Sequence, residues 1–231
     1  MRTRVIITIF SIVFVFSQCK NSNTDTIKNE KCKQMAMKMS KMLVDYYRVD
    51  FERSNVHLDS ALALIDTMFQ CNCDTRRFNL VKNKVTILCR KKDYSEALKF
   101  TQATNDSLFA LPYLKYVYLK RIEAIEAQEQ NDMETRNKLI NDIIIYLKSY
   151  MSVSPSEIDS VLALKDINDI IKYEKLMPLI QYYFYRAQIE GSDKIMNELD
   201  SLKQNINGNQ KFFDDFIKDF VKSDFIPFEG L

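Results

Sequence analysis

Glycine, histidine and tryptophan are the residues that this chain has least of. Its 231 residues include three glycines, one histidine and no tryptophan. Strand-rich folds need glycine at their turns, so its scarcity predicts an all-α fold. The single histidine, His57, leaves few options for acid–base chemistry or for metal sites of mixed cysteine and histidine ligands. The chain also has no glycine-rich phosphate loop and no G-x-S-x-G sequence, so no catalytic residue, cofactor or metal is expected.

Net charge is another quantity that the chain lacks. It has 33 basic and 31 acidic residues, and because Arg2 and Arg4 both lie in the first 18 residues, the remainder carries 31 of each. Proteins that bind nucleic acids use basic surface to displace counterions, and no dense basic run occurs here. Nucleic acid is therefore not expected as a partner. Hydrophobic residues make up 46% of the chain, which is enough for a core in one domain.

The N-terminus has the pattern of an export signal. Two arginines precede an apolar run from Val5 to Phe16, which is shorter than the roughly 20 residues that a membrane-spanning helix needs. The sequence Phe16-Ser17-Gln18-Cys19 resembles the bacterial lipobox, and this resemblance implies cleavage after Gln18 and a lipid on Cys19. Ordinary signal cleavage after Ser17, which would release a soluble protein, is one alternative, and an uncleaved N-terminal anchor is the other.

The resemblance to lipoproteins implies an address and a domain plan. Residues 1–18 form the signal peptide, and residues 19–30, with one apolar residue, form a flexible tether that begins at the lipidated cysteine. A helical domain over residues 31–222 and a tail over residues 223–231 complete the plan. The protein is expected in the cell envelope, anchored by its N-terminal lipid to a bacterial membrane on the periplasmic or surface side.

Apolar residues at helical spacing, with prolines and glycines at the boundaries, predict ten helices. Pro155, Pro112 and Pro178 are interpreted as helix starts. Gly191 is interpreted as a helix end, and His57 falls in the turn between the first two helices. The predicted helices lie near residues 31–53, 58–70, 75–91, 94–106, 112–130, 133–151, 156–176, 178–190, 193–207 and 210–222.

Short helices joined by short turns raise the question of internal repeats. The segment RKKDYSEALKF, residues 90–100, resembles the second-helix opening of a tetratricopeptide repeat. Asp93, Tyr94 and Ala97 match that pattern, and Lys92 replaces the usual glycine. Weaker copies begin near residues 58, 130 and 189, and the copy at 130 has Arg136 where a small residue is usual.

This resemblance covers roughly residues 31–207 and implies stacked antiparallel helix pairs. The pairs would form a right-handed solenoid with a concave groove. The last predicted helix, residues 210–222, has phenylalanines on one face and charges on the other. It is expected to cap the C-terminal end of the solenoid, and a partner-binding face is the alternative.

Four cysteines remain beyond Cys19. In the helix-pair arrangement Cys32 opens the first helix, whereas Cys71 and Cys73 join the second to the third, at the same pole of the solenoid. Cys89 lies about 24 Å beyond Cys73 along a helix at 1.5 Å per residue, which is too far for a disulfide. An exported protein can hold a disulfide from Cys32 to Cys71 or Cys73. Reduced cysteines without a role and a three-thiolate metal site are the alternatives.

The repeat resemblance also implies which side chains line the concave groove, since first-helix residues do so in tetratricopeptide stacks. By repeat position these residues are Tyr46, Arg53, Lys82, Arg90, Arg121 and Tyr185. The set is basic and aromatic, so an acidic peptide or a chain terminus is the expected ligand of the groove. Ordinary solvated surface is the alternative.

The expected function is that of a lipid-anchored, non-enzymatic protein-binding or scaffold module. Its partner would be another protein or peptide of the envelope. An immunity-type lipoprotein that neutralises a toxin is an alternative within the binding class. An envelope hydrolase, with carboxylates that only the fold brings together, is the alternative from another class.

Overall fold

The computed structural model describes residues 25–48, 51–73, 77–150, 170–204, 214 and 218–222. Over these residues the chain consists of helices and turns, with no strand, so the predicted all-α class is confirmed. The signal peptide, Cys19, Pro155 and the tail over 223–231 lie outside the described residues. The helices are α1 (Asp25–Arg48), α2 (Phe51–Gln70), α3 (Arg77–Arg90), α4 (Tyr94–Ala103), α5 (Leu114–Glu129), α6 (Met133–Tyr150), α7 (Ile170–Glu190), α8 (Ser192–Lys203) and α9 (Asp219–Lys222), with a 3₁₀ turn at Asp106–Leu108 between α4 and α5.

The chain divides into two compact units, the first ending at Lys91 and the second beginning at Lys92. In the first unit α1 packs on α2, and α2 packs on α3. Buried residues of α2 recur every three or four positions, at Leu58, Ala61, Ile65 and Met68, which places them on one face. This face meets Cys32 and Met39 of α1 and Leu80 and Ile87 of α3 in one apolar core.

In the second unit α5 is the central helix, because α4 and α6 both pack on it. Its buried residues therefore cover most of its circumference, whereas α6 buries a single stripe. Helix α7 packs on α6, and α8 packs on α7 through Ile195 and Leu199, which are four residues apart.

Three helices, α2, α3 and α5, are each followed by a turn that contains a residue in the left-handed conformation. The φ angles are 52° at Asn72, 60° at Lys92 and 59° at Asn131. In the first and third turns, the next amide reaches a carbonyl five residues earlier, at 3.0 and 2.9 Å, which satisfies the carbonyl groups at the helix end. The Asp93 carboxylate then accepts a hydrogen bond from the Glu96 amide at 3.2 Å and caps the N-terminus of α4.

Two helix starts and one turn differ from the prediction. Helix α1 begins at Asp25, so residues 25–30 of the predicted tether are helical; they include lysine and glutamate, which form helices well. His57 lies inside α2, half-buried, because that helix already begins at Phe51. Pro178 does not start a helix: α7 continues through it, at the cost of one backbone hydrogen bond.

Charged side chains attach the C-terminal segment to α8. The Lys218 ammonium lies 3.1 Å from the Asp214 carboxylate and also pairs with Asp200 of α8. Lys203, the last residue of α8, pairs with Asp214 in turn. Helix α9 contacts α7 and α8. The phenylalanines at 212, 213 and 216 that would form the predicted capping face lie outside the described residues.

Candidate functional site

A disulfide joins Cys32 of α1 to Cys73, which follows the C-terminal turn of α2. The two sulfur atoms are 2.00 Å apart and the two Cα atoms 5.6 Å apart. Both residues are almost fully buried, at 2% and 1% exposure, within the core of the first unit. Of the two pairings that the sequence left open for Cys32, the structure has this one. A three-thiolate site that includes Cys32 and Cys73 is therefore excluded, since a metal needs both as thiolates.

Cys89, near the end of α3, takes part in no disulfide. It is 2% exposed, and it lies next to other buried residues of the same helix, Ile87 and Leu88. Buried cysteines of this kind behave as small apolar side chains. The described residues contain no group of three or more histidine, cysteine or carboxylate side chains that could hold a metal ion.

The predicted groove residues of the first unit are only partly described. Lys82 and Arg90 are both half-buried on α3, eight residues apart and so on the same face of the helix. Tyr46 lies in α1 and Arg53 in α2, but their side chains lie outside the described residues. In this unit the structure gives a short basic surface on one helix, formed by Lys82 and Arg90.

The predicted groove residues of the second unit come together, but they are buried. The guanidinium carbon of Arg121, on α5, lies 5.9 Å from the centre of the Tyr185 ring and 5.5 Å from that of Phe184, both on α7. Arg121 is 1% exposed and Tyr185 is 0% exposed. The prediction that these two side chains line an open groove is therefore wrong, because α7 brings its aromatic residues over the arginine.

The electrostatics at this contact reflect its burial. Burial raises the pKa of the Tyr185 hydroxyl, and the neighbouring Arg121 cation opposes the shift. Gln181 lies one turn before Tyr185 on α7 and is 1% exposed. No described group forms a hydrogen bond with the side-chain amide of Gln181. Helix α7 thus buries two polar side chains, Gln181 and Tyr185, one turn apart.

A second buried arginine, Arg136, links three helices. From α6 its Nε donates to Gln128 Oε1 of α5 at 2.8 Å, and one terminal nitrogen donates to the Gln188 carbonyl of α7 at 3.5 Å and to Asn137 Oδ1 at 2.9 Å. Arg136 is 6% exposed, and burial lowers its pKa. Sequence reasoning noted Arg136 as a large residue at a small-residue position and did not foresee this bridge; that mismatch was the available signal.

Sequence reasoning also missed a cluster of tyrosines at the surface of α5 and α6. The Tyr116 ring centre lies 4.2 Å from that of Tyr146, which lies 6.4 Å from that of Tyr150. Tyr150 also packs on the buried Tyr113, with ring centres 5.0 Å apart. Burial raises the pKa of Tyr146, and the two neighbouring tyrosines add to the shift.

This tyrosine cluster (Tyr116, Tyr146 and Tyr150) is accessible to another molecule. Tyr150 is 46% exposed, and Ile145, beside Tyr146 on α6, is 67% exposed. Positions 146 and 150 border the buried stripe at 136, 140, 143 and 147, and positions 145 and 149 lie next to them on the solvent side of α6. Tyrosine and other aromatic residues are enriched in the cores of protein interfaces, so this surface has the composition of a protein contact.

No protein-family model, curated protein or solved structure matches this chain. None of the helices in the described parts of the chain is both long enough and apolar enough to cross a membrane.

Proposed function

We propose that this chain is a lipid-anchored protein of the bacterial envelope that binds another envelope protein and has no catalytic role. The observation that carries the proposal is the tyrosine cluster on α5 and α6, with the exposed Ile145 beside it. Rigid aromatic side chains lose little conformational entropy when they are buried by a partner, so they suit a binding surface.

Two independent features support the proposed compartment. The N-terminal sequence through Cys19 has the pattern of a lipoprotein signal, and the Cys32–Cys73 disulfide suits an oxidising compartment outside the cytoplasm. The anchor itself is tested by substitution. Cys19→Ala should abolish labelling by a radioactive fatty acid, and equal labelling of wild type and variant would disprove the lipid attachment.

The tetratricopeptide-like architecture is part of the proposal. Consecutive helices pack as neighbours within each unit, and left-handed residues occur in similar turns at Lys92 and Asn131, 39 positions apart. Such recurrence is what a repeat of one helix pair produces. Lys92 stands where the repeat family has glycine, and it adopts the left-handed conformation that glycine accommodates most readily.

The binding surface that we assign differs from the groove implied by the repeat family. Arg121 and Tyr185 are buried, so they cannot meet a partner without a rearrangement. The expectation of an acidic partner now depends on Lys82 and Arg90 of the first unit, which are half-buried. The tyrosine cluster instead calls for an apolar or aromatic surface on the partner.

Capture of envelope proteins on the purified chain tests this assignment. The double variant Tyr146→Ser/Tyr150→Ser should lose the partner that wild type retains, because residues central to an interface commonly contribute more than about 2 kcal/mol, or roughly thirtyfold in affinity. Ile145→Glu should do the same without removing the packing of Tyr150 on Tyr113, because it places a charge on the contact surface.

The matched control is Val56→Ser/Met133→Ser. These side chains are 65% and 49% exposed and lie outside the tyrosine cluster, so the control makes the same kind of change elsewhere. Thermal melting of all variants shows whether each remains folded. Retention of the partner by both folded test variants would disprove the assignment of this surface.

A further inference from the structure

The outer face of α1 carries lysines around an exposed methionine. Lys33, Met37 and Lys41 follow each other at four-residue spacing, which puts them in one row along the helix. All three are exposed, Met37 at 65%, and Lys38 is exposed beside them. Between residues 28 and 41 the helix has five lysines and one glutamate, Glu30. Basic residues around an apolar one are typical of helices that lie at a membrane surface.

The charge of this lysine face (Lys33, Lys38 and Lys41) is not compensated within the described parts of the chain. None of the three forms an ion pair there. The described carboxylates of the neighbouring helix α2 are engaged elsewhere: Asp66 pairs with Lys84 at 2.5 Å, and Asp59 pairs with Lys91. An anion that meets the lysine face therefore has no internal carboxylate to displace.

The two units also differ in net charge, although the chain as a whole is close to neutral. Residues 25–91 have 13 lysines and arginines and 8 acids, a balance of +5, whereas residues 92–231 have 17 and 23, a balance of −6. Charge asymmetry between two halves of a chain indicates that one half faces a charged partner. The basic half is the one that follows Cys19.

We propose that the lysine face of α1 lies on the anionic headgroups of a phospholipid membrane, with Met37 among the headgroups. The proposal rests on the proposed lipid anchor at Cys19. Five residues separate Cys19 from Asp25, so at about 3.6 Å per residue the helix begins within roughly 20 Å of the lipid. This reach allows α1 to lie along the membrane surface, where lysines within a Debye length of about 8 Å are attracted to anionic headgroups.

Vesicle binding by the unacylated chain tests the proposal. The probe is residues 19–231, the mature chain of the proposed lipoprotein, exported to an oxidising compartment so that the disulfide forms. It is sedimented with vesicles of phosphatidylcholine alone, or of phosphatidylcholine with phosphatidylglycerol. We expect binding to the anionic vesicles that weakens with added salt. A lysine at such a surface contributes roughly fivefold, so Lys33→Gln/Lys38→Gln/Lys41→Gln should weaken binding about a hundredfold.

The matched control is Lys138→Gln/Lys148→Gln/Lys222→Gln, which removes the same charge from exposed positions of the second unit. It should bind like wild type. The proposal would be overturned if the wild-type chain bound no vesicles, or if it bound both kinds of vesicle equally. It would also be overturned if the control variant lost as much affinity for the anionic vesicles as the α1 variant. If the wild-type chain bound no vesicles but captured an acidic protein that the α1 variant failed to capture, the lysine face would be a protein-binding site and the proposal would be overturned. Fatty-acid labelling at Cys19 is a separate readout, so failure of the anchor and failure of the lysine face are distinguishable.

Discussion

Loss of the Cys32–Cys73 disulfide should destabilise the protein by an amount that follows from the loop it closes. The two cysteines are 41 positions apart. For a loop of that length, the chain-entropy relation gives a loss of about 13 cal/mol/K in the unfolded state, or about 4 kcal/mol at 25 °C. Reduction of wild type should therefore lower the free energy of unfolding by about 3–4 kcal/mol and the melting temperature by about 10 °C.

Urea unfolding followed by circular dichroism measures this effect, and non-reducing peptide mapping identifies the bond. The double variant Cys32→Ala/Cys73→Ala should lose the same amount, about 3–4 kcal/mol, relative to oxidised wild type. Cys89→Ala is the control, because it removes a buried cysteine that is not part of the disulfide, so the effect of reductant should persist in it. Oxidised and reduced wild type of equal stability would refute the loop-closure argument, and a mapped bond to Cys89 would refute the helix order.

Three further substitutions test the buried and charged contacts. Arg121→Ala should lower the free energy of unfolding by more than about 2 kcal/mol, because it removes a long buried side chain that packs on Phe184 and Tyr185. Lys138→Ala at the surface is the control and should change it by less than about 0.5 kcal/mol; urea unfolding measures both. Hydrogen bonds from Arg186 lower the pKa of Glu190 from 4.5 to about 2, so the stabilisation from this ion pair should be present above pH 4.5 and disappear as the pH falls towards 2. Acid unfolding of Glu190→Gln should lack this pH-dependent component, and that of Glu134→Gln should retain it. Asp93→Ala should cost about 1 kcal/mol, measured by urea unfolding, because it removes the N-cap of α4, and an unchanged stability would mean that the cap is not formed in solution.

Local sequence patterns predicted the helices where their ends carry specific chemistry. The predicted helix at 133–151 is α6, Met133–Tyr150, and the predicted helix at 94–106 is α4, Tyr94–Ala103, which the structure shows capped by Asp93. Pro178 misled the prediction because proline is only a statistical marker of a helix start. The neighbouring Met177 and Leu179 are buried and the helix packs on α6, and these contacts are not visible in the local sequence.

The site could not be predicted to the same extent, because helical periodicity gives the direction of a side chain and not what covers it. The repeat register correctly brought Arg121 of α5 near Tyr185 of α7. Whether such a contact is open depends on how closely the two helices approach, which is set by residues distant in sequence. The Tyr116–Tyr146 contact was missed for a related reason: the two tyrosines are 30 positions apart, and only the packing of α5 on α6 joins them.

The charge of the chain shows why an overall count gives little information about binding. The near-neutral total conceals a basic first unit and an acidic second one. The two proposed surfaces divide along the same line. The lysine face of α1 belongs to the basic unit and suits an anionic membrane, whereas the tyrosine cluster belongs to the acidic unit, which an anionic membrane would repel.

The two proposals together assign the first unit of a protein anchored at Cys19 to the bilayer and the second unit to a protein partner. Substitutions of the lysine face should then leave partner capture in solution unchanged, and substitutions of the tyrosine cluster should leave vesicle binding unchanged; loss of both activities in either set would contradict this division.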